Sequence, residues 1–261
     1  NSKNKFEQFI SKISNQFQYS IDKKSDLNLN SNIDINPFQI NKDELLAYNY
    51  SIKNILYLNK GKQKHSVIFT YSENESKNNF TFGSTRNAQN FKRLNIIHKA
   101  KEVYLFELMA NKENKSSWSE NYLEKNYLLE KEQINPRLTY LAGKNNRINF
   151  LYQFSKINNR LGNQEFLNQQ QFGISLFLNQ KQKRGFVTEF NYFKNEFNGD
   201  INSIISYVMM NGLQNGENYT WSIRFQQKIS KLLDLNFIYY GRKSENSRTI
   251  HNGSVQLKAI F

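Results

Sequence analysis

Few residues in this chain could do chemistry, and their spacing argues against most of it. The three histidines, His65, His98 and His251, are scattered, and no His-Glu-x-x-His or comparable ligand spacing occurs. Hydrolysis would need a nucleophile, a positioned base and oxyanion donors, and no motif assembles them; Asp200 and His251 lie far apart in sequence. The expectation is therefore not an enzyme, with no catalytic, cofactor-binding or metal-binding residues and no cofactor. Glu73 and Glu75 alternate within Glu73-Asn74-Glu75-Ser76-Lys77-Asn78-Asn79, but Lys77 and Asn78 stand where a calcium loop wants an oxygen ligand and a glycine. That stretch reads as a solvated hairpin tip. No glycine-rich phosphate loop is present, and the absence of cysteine excludes disulfides and thiolate metal sites.

The remaining chemistry is charge. The 261 residues carry a formal net charge of +14. Lys and Arg are dispersed, however, through loops such as Lys60-Gly61-Lys62-Gln63-Lys64 and Lys181-Gln182-Lys183-Arg184, without the aromatic interleaving of a single-strand binder. Nucleic acid is not an expected partner. Arg137, Glu189, Arg224, Asp234 and Lys258 occur singly, each flanked on both sides by residues of a more apolar set. Such alternation puts a charge and its neighbours on opposite faces of a strand.

The elements that must position them are strands. Tyr219, Trp221, Ile223 and Phe225 share one face while Thr220, Ser222, Arg224 and Gln226 share the other, a period of two without exception. Leu233, Leu235, Phe237 and Tyr239 alternate with Asp234, Asn236, Ile238 and Tyr240. Ile148, Phe150, Tyr152 and Phe154 alternate with Asn149, Leu151, Gln153 and Ser155, after a turn at Gly143-Lys144-Asn145-Asn146. Phe172 to Leu178 and Phe186 to Tyr192 continue the style, and Ile201 to Met210 reads as a weaker strand, apolar on both faces in places. Further back come Leu46 to Leu58, Val67 to Tyr71, Phe80 and Phe82, Leu94 to His98, and Val103 to Met109. Residues 115 to 126 and 158 to 169 read as long connections.

About twelve to fourteen strands result, roughly one per twenty residues, the spacing of membrane-barrel strands plus loops. Residues 1–16 form a lead-in segment, helix or strand: Phe6, Ile10, Ile13 and Phe17 have helical spacing, and Asn4 with Glu7 resembles a capping box. Alternation takes over from Phe17, so residues 17–261 form the barrel. Counting back from the C-terminus over these strands puts the connections near 115–126 and 158–169 at the same end as the C-terminus, where barrels usually keep turns short.

Composition fits a chain sorted between two solvents. Only 38% of residues are apolar, against ~45–50% in ordinary globular chains, yet aromatics reach 15%. Mean hydropathy is −0.75. No apolar run approaches the roughly 18 residues of a membrane-spanning helix, and the two prolines leave little edge protection for a soluble sandwich. Tyr152, Tyr192, Tyr219, Trp221, Phe225, Phe237 and Tyr239 fall on the faces expected to meet lipid, where barrels place aromatic girdles. Arg137, Glu189, Arg224, Asp234 and Lys258 are then the lumen-facing charge. The last strand closes with Val255, Leu257, Ala259 and Phe261 on alternate positions.

The segments Asn218-Tyr219-Thr220-Trp221, Leu233-Asp234-Leu235-Asn236, Tyr240-Gly241-Arg242-Lys243-Ser244, Ile250-His251-Asn252-Gly253 and Val255 to Phe261 resemble the C-terminal end of large outer-membrane proteins of Bacteroidota, flavobacterial ones especially. The resemblance is strongest over residues 211–261 and extends back to about residue 118. It implies an antiparallel transmembrane β-barrel in the bacterial outer membrane, with Val255, Leu257, Ala259 and Phe261 as the insertion signal read by the barrel-assembly machinery. Members of that group carry domains before the barrel, consistent with a chain that starts without a signal segment. The expected function is a membrane anchor, scaffold or assembly subunit, the C-terminal domain of a longer protein. Expected partners are outer-membrane lipid, lipopolysaccharide phosphates on basic loops, and other outer-membrane subunits. The alternatives are a channel or transporter subunit for small solutes or exported protein, and a soluble or surface β-rich binding module.

Overall fold

The computed structural model describes the backbone of residues 9–10, 13–22, 27–41, 44–58, 65–80, 83–143, 145–162, 164–180, 184–230, 232–245 and 247–259, and the side chains of those from residue 65 onward apart from Phe80. The fold is all-β: one antiparallel sheet of fourteen strands with one short α-helix and a 3-10 turn at Leu123–Lys125 among the described residues. In chain order these are β1 (Phe9–Ile10), β2 (Ile13–Asp22), β3 (Leu27–Asn41), β4 (Glu44–Leu58), β5 (His65–Phe80), β6 (Gly83–Ala100), β7 (Tyr104–Ser119), β8 (Tyr127–Ala142), β9 (Asn146–Asn159), β10 (Phe166–Gln180), β11 (Arg184–Asn198), α1 (Ile204–Met209), β12 (Gly216–Lys228), β13 (Leu233–Ser244) and β14 (Ile250–Ala259).

From β3 to β14 each strand lies beside its successor, and both β1 and β2 pair with β3. Sequential neighbours joined by turns of a few residues must run antiparallel, since a parallel crossover needs a dozen residues or more. The registers agree: Phe186 faces Phe225, Phe225 faces Phe237, and Phe237 faces Val255 across β11 to β14. Each proline stands inside a strand, Pro37 in β3 and Pro136 in β8, where its missing N–H removes one ladder donor.

Several boundaries differ from the sequence expectation. Residues 201–210 are not a strand: α1 occupies Ile204–Met209, with the Ser203 hydroxyl accepting from the Ser206 N–H at 3.0 Å as its N-cap. Ile205 and Met209, four apart, share its buried side. Removing that strand shifts the alternation by one. By strand order from β6 onward, the links after β7, β9, β11 and β13 therefore fall at the end opposite the C-terminus, while the three- or four-residue links after β6, β8, β10 and β12 fall at the C-terminal end. The polar stretch 115–119 belongs to β7, and Glu73–Asn79 is no hairpin tip but the second half of β5. Phe9–Ile10 and Ile13–Asp22 are strand, so the helical spacing there is not used; residues 1–8 and Phe261 lie outside the described residues.

The chain divides into two compact units. In the first, Asn1–Ile96, Ala110–Glu132 and Ile157–Phe166, Arg86 clasps the buried Glu75 through Nε and Nη2 at 2.8 and 2.9 Å. There the polar parts of β7 and β8 carry ion pairs, Lys112 with Glu132 at 3.1 Å and Arg160 with Glu130 at 2.7 Å. The second unit, Ile97–Met109, Gln133–Lys156 and Leu167–Phe261, holds the surfaces described next.

Candidate functional site

In the second unit the usual placement of polar and apolar residues is inverted. Asn218 and Ser155 are wholly buried, while Phe150 and Phe172 are about half exposed, at 47% and 50%. Strand alternation produces this. Asn149, Leu151, Gln153 and Ser155 of β9 share one face; Gln169, Gln171 and Ser175 of β10, Glu189, Asn191 and Asn195 of β11, and Asn218, Ser222 and Arg224 of β12 continue it. Buried amides are stable only when hydrogen-bonded, and these bond from strand to strand. The Thr139 hydroxyl donates to Asn149 Oδ1 at 2.8 Å, and Asn149 Nδ2 donates to the Ser175 hydroxyl at 2.8 Å. Gln133 donates to Gln153 at 2.8 Å, Gln171 to Asn191 at 2.9 Å and Gln169 to Asn195 at 2.9 Å. The Ser244 hydroxyl donates to Asn218 Oδ1.

The five charges expected on this face all lie on it by strand parity. Arg137 pairs with Glu107 at 3.7 Å, and Arg224 donates to Glu189 at 3.1 Å. Asp234 stands directly opposite Lys228 on one neighbour and Lys258 on the other.

The opposite face is apolar along the part of each strand nearest the short turns. Tyr104, Phe106 and Leu108 of β7, Ile134 and Tyr140 of β8, Ile174 and Leu178 of β10, and Val255 and Leu257 of β14 are all exposed. Seven residues, as from Tyr104 to Ala110, rise about 23 Å at ~3.3 Å each, close to the ~25 Å apolar band of outer-membrane strands. Above that height the same face turns charged, with Lys156, Lys194 and Glu217. The 15 residues of β10 and β11 exceed the ~9–11 needed to cross a bilayer, and the surplus is this charged extension.

A row of rings marks the boundary. Tyr152 meets Phe172 at 4.8 Å between centroids, Phe172 meets Tyr192 at 6.3 Å, and Tyr192 meets Tyr219 at 5.3 Å, linking β9 to β12. Both tyrosine hydroxyls donate to Glu217, at 3.2 and 3.0 Å, so the rings sit on the apolar side and the hydroxyls reach the charged one. One step lower, Trp221 lies against Gly241 so closely that a Cβ there would collide with the indole. Its ring stands 6.0 Å from His251, which stacks on Tyr239 at 6.0 Å and bonds the Tyr239 hydroxyl through Nδ1 at 2.7 Å.

No protein-family model matches this chain, and no curated protein matches it. The two faces must carry the functional reading themselves.

Of the aromatic set chosen from sequence, Tyr152, Tyr192 and Tyr219 join one ring row, and Trp221 and Tyr239 meet through His251. Phe225 and Phe237 face each other lower on the band. Val255, Leu257 and Ala259 share one side of β14. Phe172 and His251 were missed as ring-row members, although parity carried the signal: 251 is in step with 255 and 257, and 172 with 174. The amide ladder was also missed, although Asn149, Gln153, Ser175 and Asn191 each sit between two apolar residues. Among the described residues no group of His, Cys, Asp and Glu could hold a metal ion. No helix of the described residues is long and apolar enough to cross a membrane.

Proposed function

We propose that the sheet closes into a transmembrane β-barrel of the bacterial outer membrane. It serves there as membrane anchor, scaffold or assembly subunit, as the C-terminal domain of a longer protein. The observation that carries this is the inverted polarity: an apolar band of bilayer height on one face and a hydrogen-bonded amide ladder on the other. A soluble sandwich buries its apolar face against a second sheet, and soluble surfaces rarely expose contiguous apolar patches beyond a few hundred Å². Lipid satisfies the band, and closure satisfies every strand edge, as a bilayer requires. The ring row with hydroxyls directed at Glu217 has the form of an interfacial girdle. Placement in the outer membrane, insertion by the barrel-assembly machinery, and contacts with lipid, lipopolysaccharide and other outer-membrane subunits rest on the C-terminal resemblance.

The test is insertion. The purified chain should need detergent and migrate faster on gels when unheated than when boiled, the mark of a closed barrel. Phe225→Arg, on the band, should lower the inserted fraction, since a basic residue facing lipid costs ~2–4 kcal/mol at mid-depth. Gln226→Arg, one residue on and facing the other way, should insert almost normally. A monodisperse chain in plain buffer, or equal effects of the two substitutions, would overturn the proposal.

A further inference from the structure

Near the short turns the polar face opens into a cavity of about 780 Å³. Ligand sites commonly measure ~300–1,000 Å³, so a solute fits. Four cations line it, Arg147, Arg184, Arg224 and Lys228, against two carboxylates, Glu189 and Asp234. Glu189 is engaged by Arg224, while Asp234 lies in register with Lys228 and Lys258 and forms no ion pair among the described residues. The Arg147 guanidinium lies 4.8 Å over the Phe177 ring, a cation–π contact that holds it at the wall. Among the described residues Arg147 and Arg184 have no acidic partner. Asn179, Asn236 and Gln256 add amide donors to the wall. Like charges gathered on a concave wall cost energy unless something neutralises them, and a planar guanidinium matches carboxylate or phosphate oxygens in pairs.

We infer that this cavity binds a small multiply charged anion, a polycarboxylate or a polyphosphate, held by Arg147 and Lys228, with Arg184 at its edge. The inference rests on the proposed barrel, whose wet interior the polar face would line. Citrate and inorganic pyrophosphate are the probes, titrated calorimetrically into the intact chain in detergent, with chloride at equal ionic strength as reference. Either probe should bind saturably, more weakly as salt rises, and the stronger of the two names the source. Arg147→Gln with Lys228→Gln should weaken binding about tenfold or more per cation, the loss expected for a charge-assisted hydrogen bond. Lys156→Gln, which removes the same charge from the other face, should leave it unchanged. If the double variant inserts poorly, Lys228→Gln alone reads the same loss at one step. Heat-modifiable mobility of the same samples tests the barrel separately. A heat-modifiable chain that binds neither probe, or loses binding equally through Lys156→Gln, overturns the anion site and leaves the barrel standing.

Discussion

A single carboxylate shows how tightly the connections are pinned to the strands. Glu120, in the connection after β7, accepts from the Ser84 hydroxyl and the Ser84 N–H, both at 2.8 Å, and its own N–H donates to the Ser84 carbonyl at 3.2 Å. The hydroxyl bond foremost, then the backbone bond, hold its carboxyl below the usual carboxylate range. A depressed folded-state pKa means a stabilising contribution that is complete above the ordinary range and disappears as pH falls through the lower, folded value. Protection of the Ser84 amide from hydrogen exchange should therefore decline, after correction for intrinsic rates, only below the ordinary carboxylate range. Glu120→Gln should remove that pH step. A step in protection that persists in the Gln variant would assign it to another group. Nothing in sequence announced this pair, since Ser84 and Glu120 are brought together only when β6 and β7 align. Glu75 was misread for a related reason. Its run of polar neighbours looks like a loop, while its burial depends on Arg86 across the strand pair.

At the scale of elements, alternation between two faces made most strands legible, because an apolar face and a polar face on one sheet impose a period of two. It failed where a strand passes beyond the apolar band. Residues 115–119 of β7 are polar but for Trp118, as a loop can be, and only backbone pairing distinguishes them. It failed again at α1, where Ile204, Ile205, Val208 and Met209 suit either a strand buried on both faces or a short helix; the Ser203 cap was the overlooked cue. The connection bearing α1 is fastened by amides. Asn218 Nδ2 donates to the Gln214 carbonyl at 2.8 Å and its Oδ1 accepts from the Gln214 N–H at 3.0 Å, while Asn195 donates to the same carbonyl at 2.9 Å. Asn218→Ala strands these partners, at a cost of ~1–3 kcal/mol concentrated in the connection rather than the ladder. Limited proteolysis of the detergent-solubilised chain should then cut within 199–215 markedly faster than in the parent, with heat-modifiable mobility retained. Equal cutting rates would mean that the connection is held by the buried Ile205, Met209 and Met210 instead.

For the whole molecule, the revised alternation carries a consequence that the sequence count could not reach. With residues 201–210 counted as a strand, long and short connections were mixed at both ends. With α1 in their place, the connections from β6 onward sort by length, three or four residues at the C-terminal end and five or more at the other. Outer-membrane barrels divide their connections in this way, short on the periplasmic side and long on the outer side. The proposal therefore predicts sidedness. The chain has no cysteine, so an introduced thiol is unique in it. Asn202→Cys, in the connection before α1, should react in intact cells with a maleimide too large to pass a barrel lumen. Ser230→Cys, in the turn between β12 and β13, should react only after the outer membrane is permeabilised. Between them runs β12, whose Tyr219 to Phe225 face belongs to the band, so opposite accessibility is what a membrane crossing by that strand requires. Labelling of both thiols in intact cells would mean that β12 crosses nothing. The exposed band would then have to be covered by protein, and the soluble binding module would become the reading to pursue.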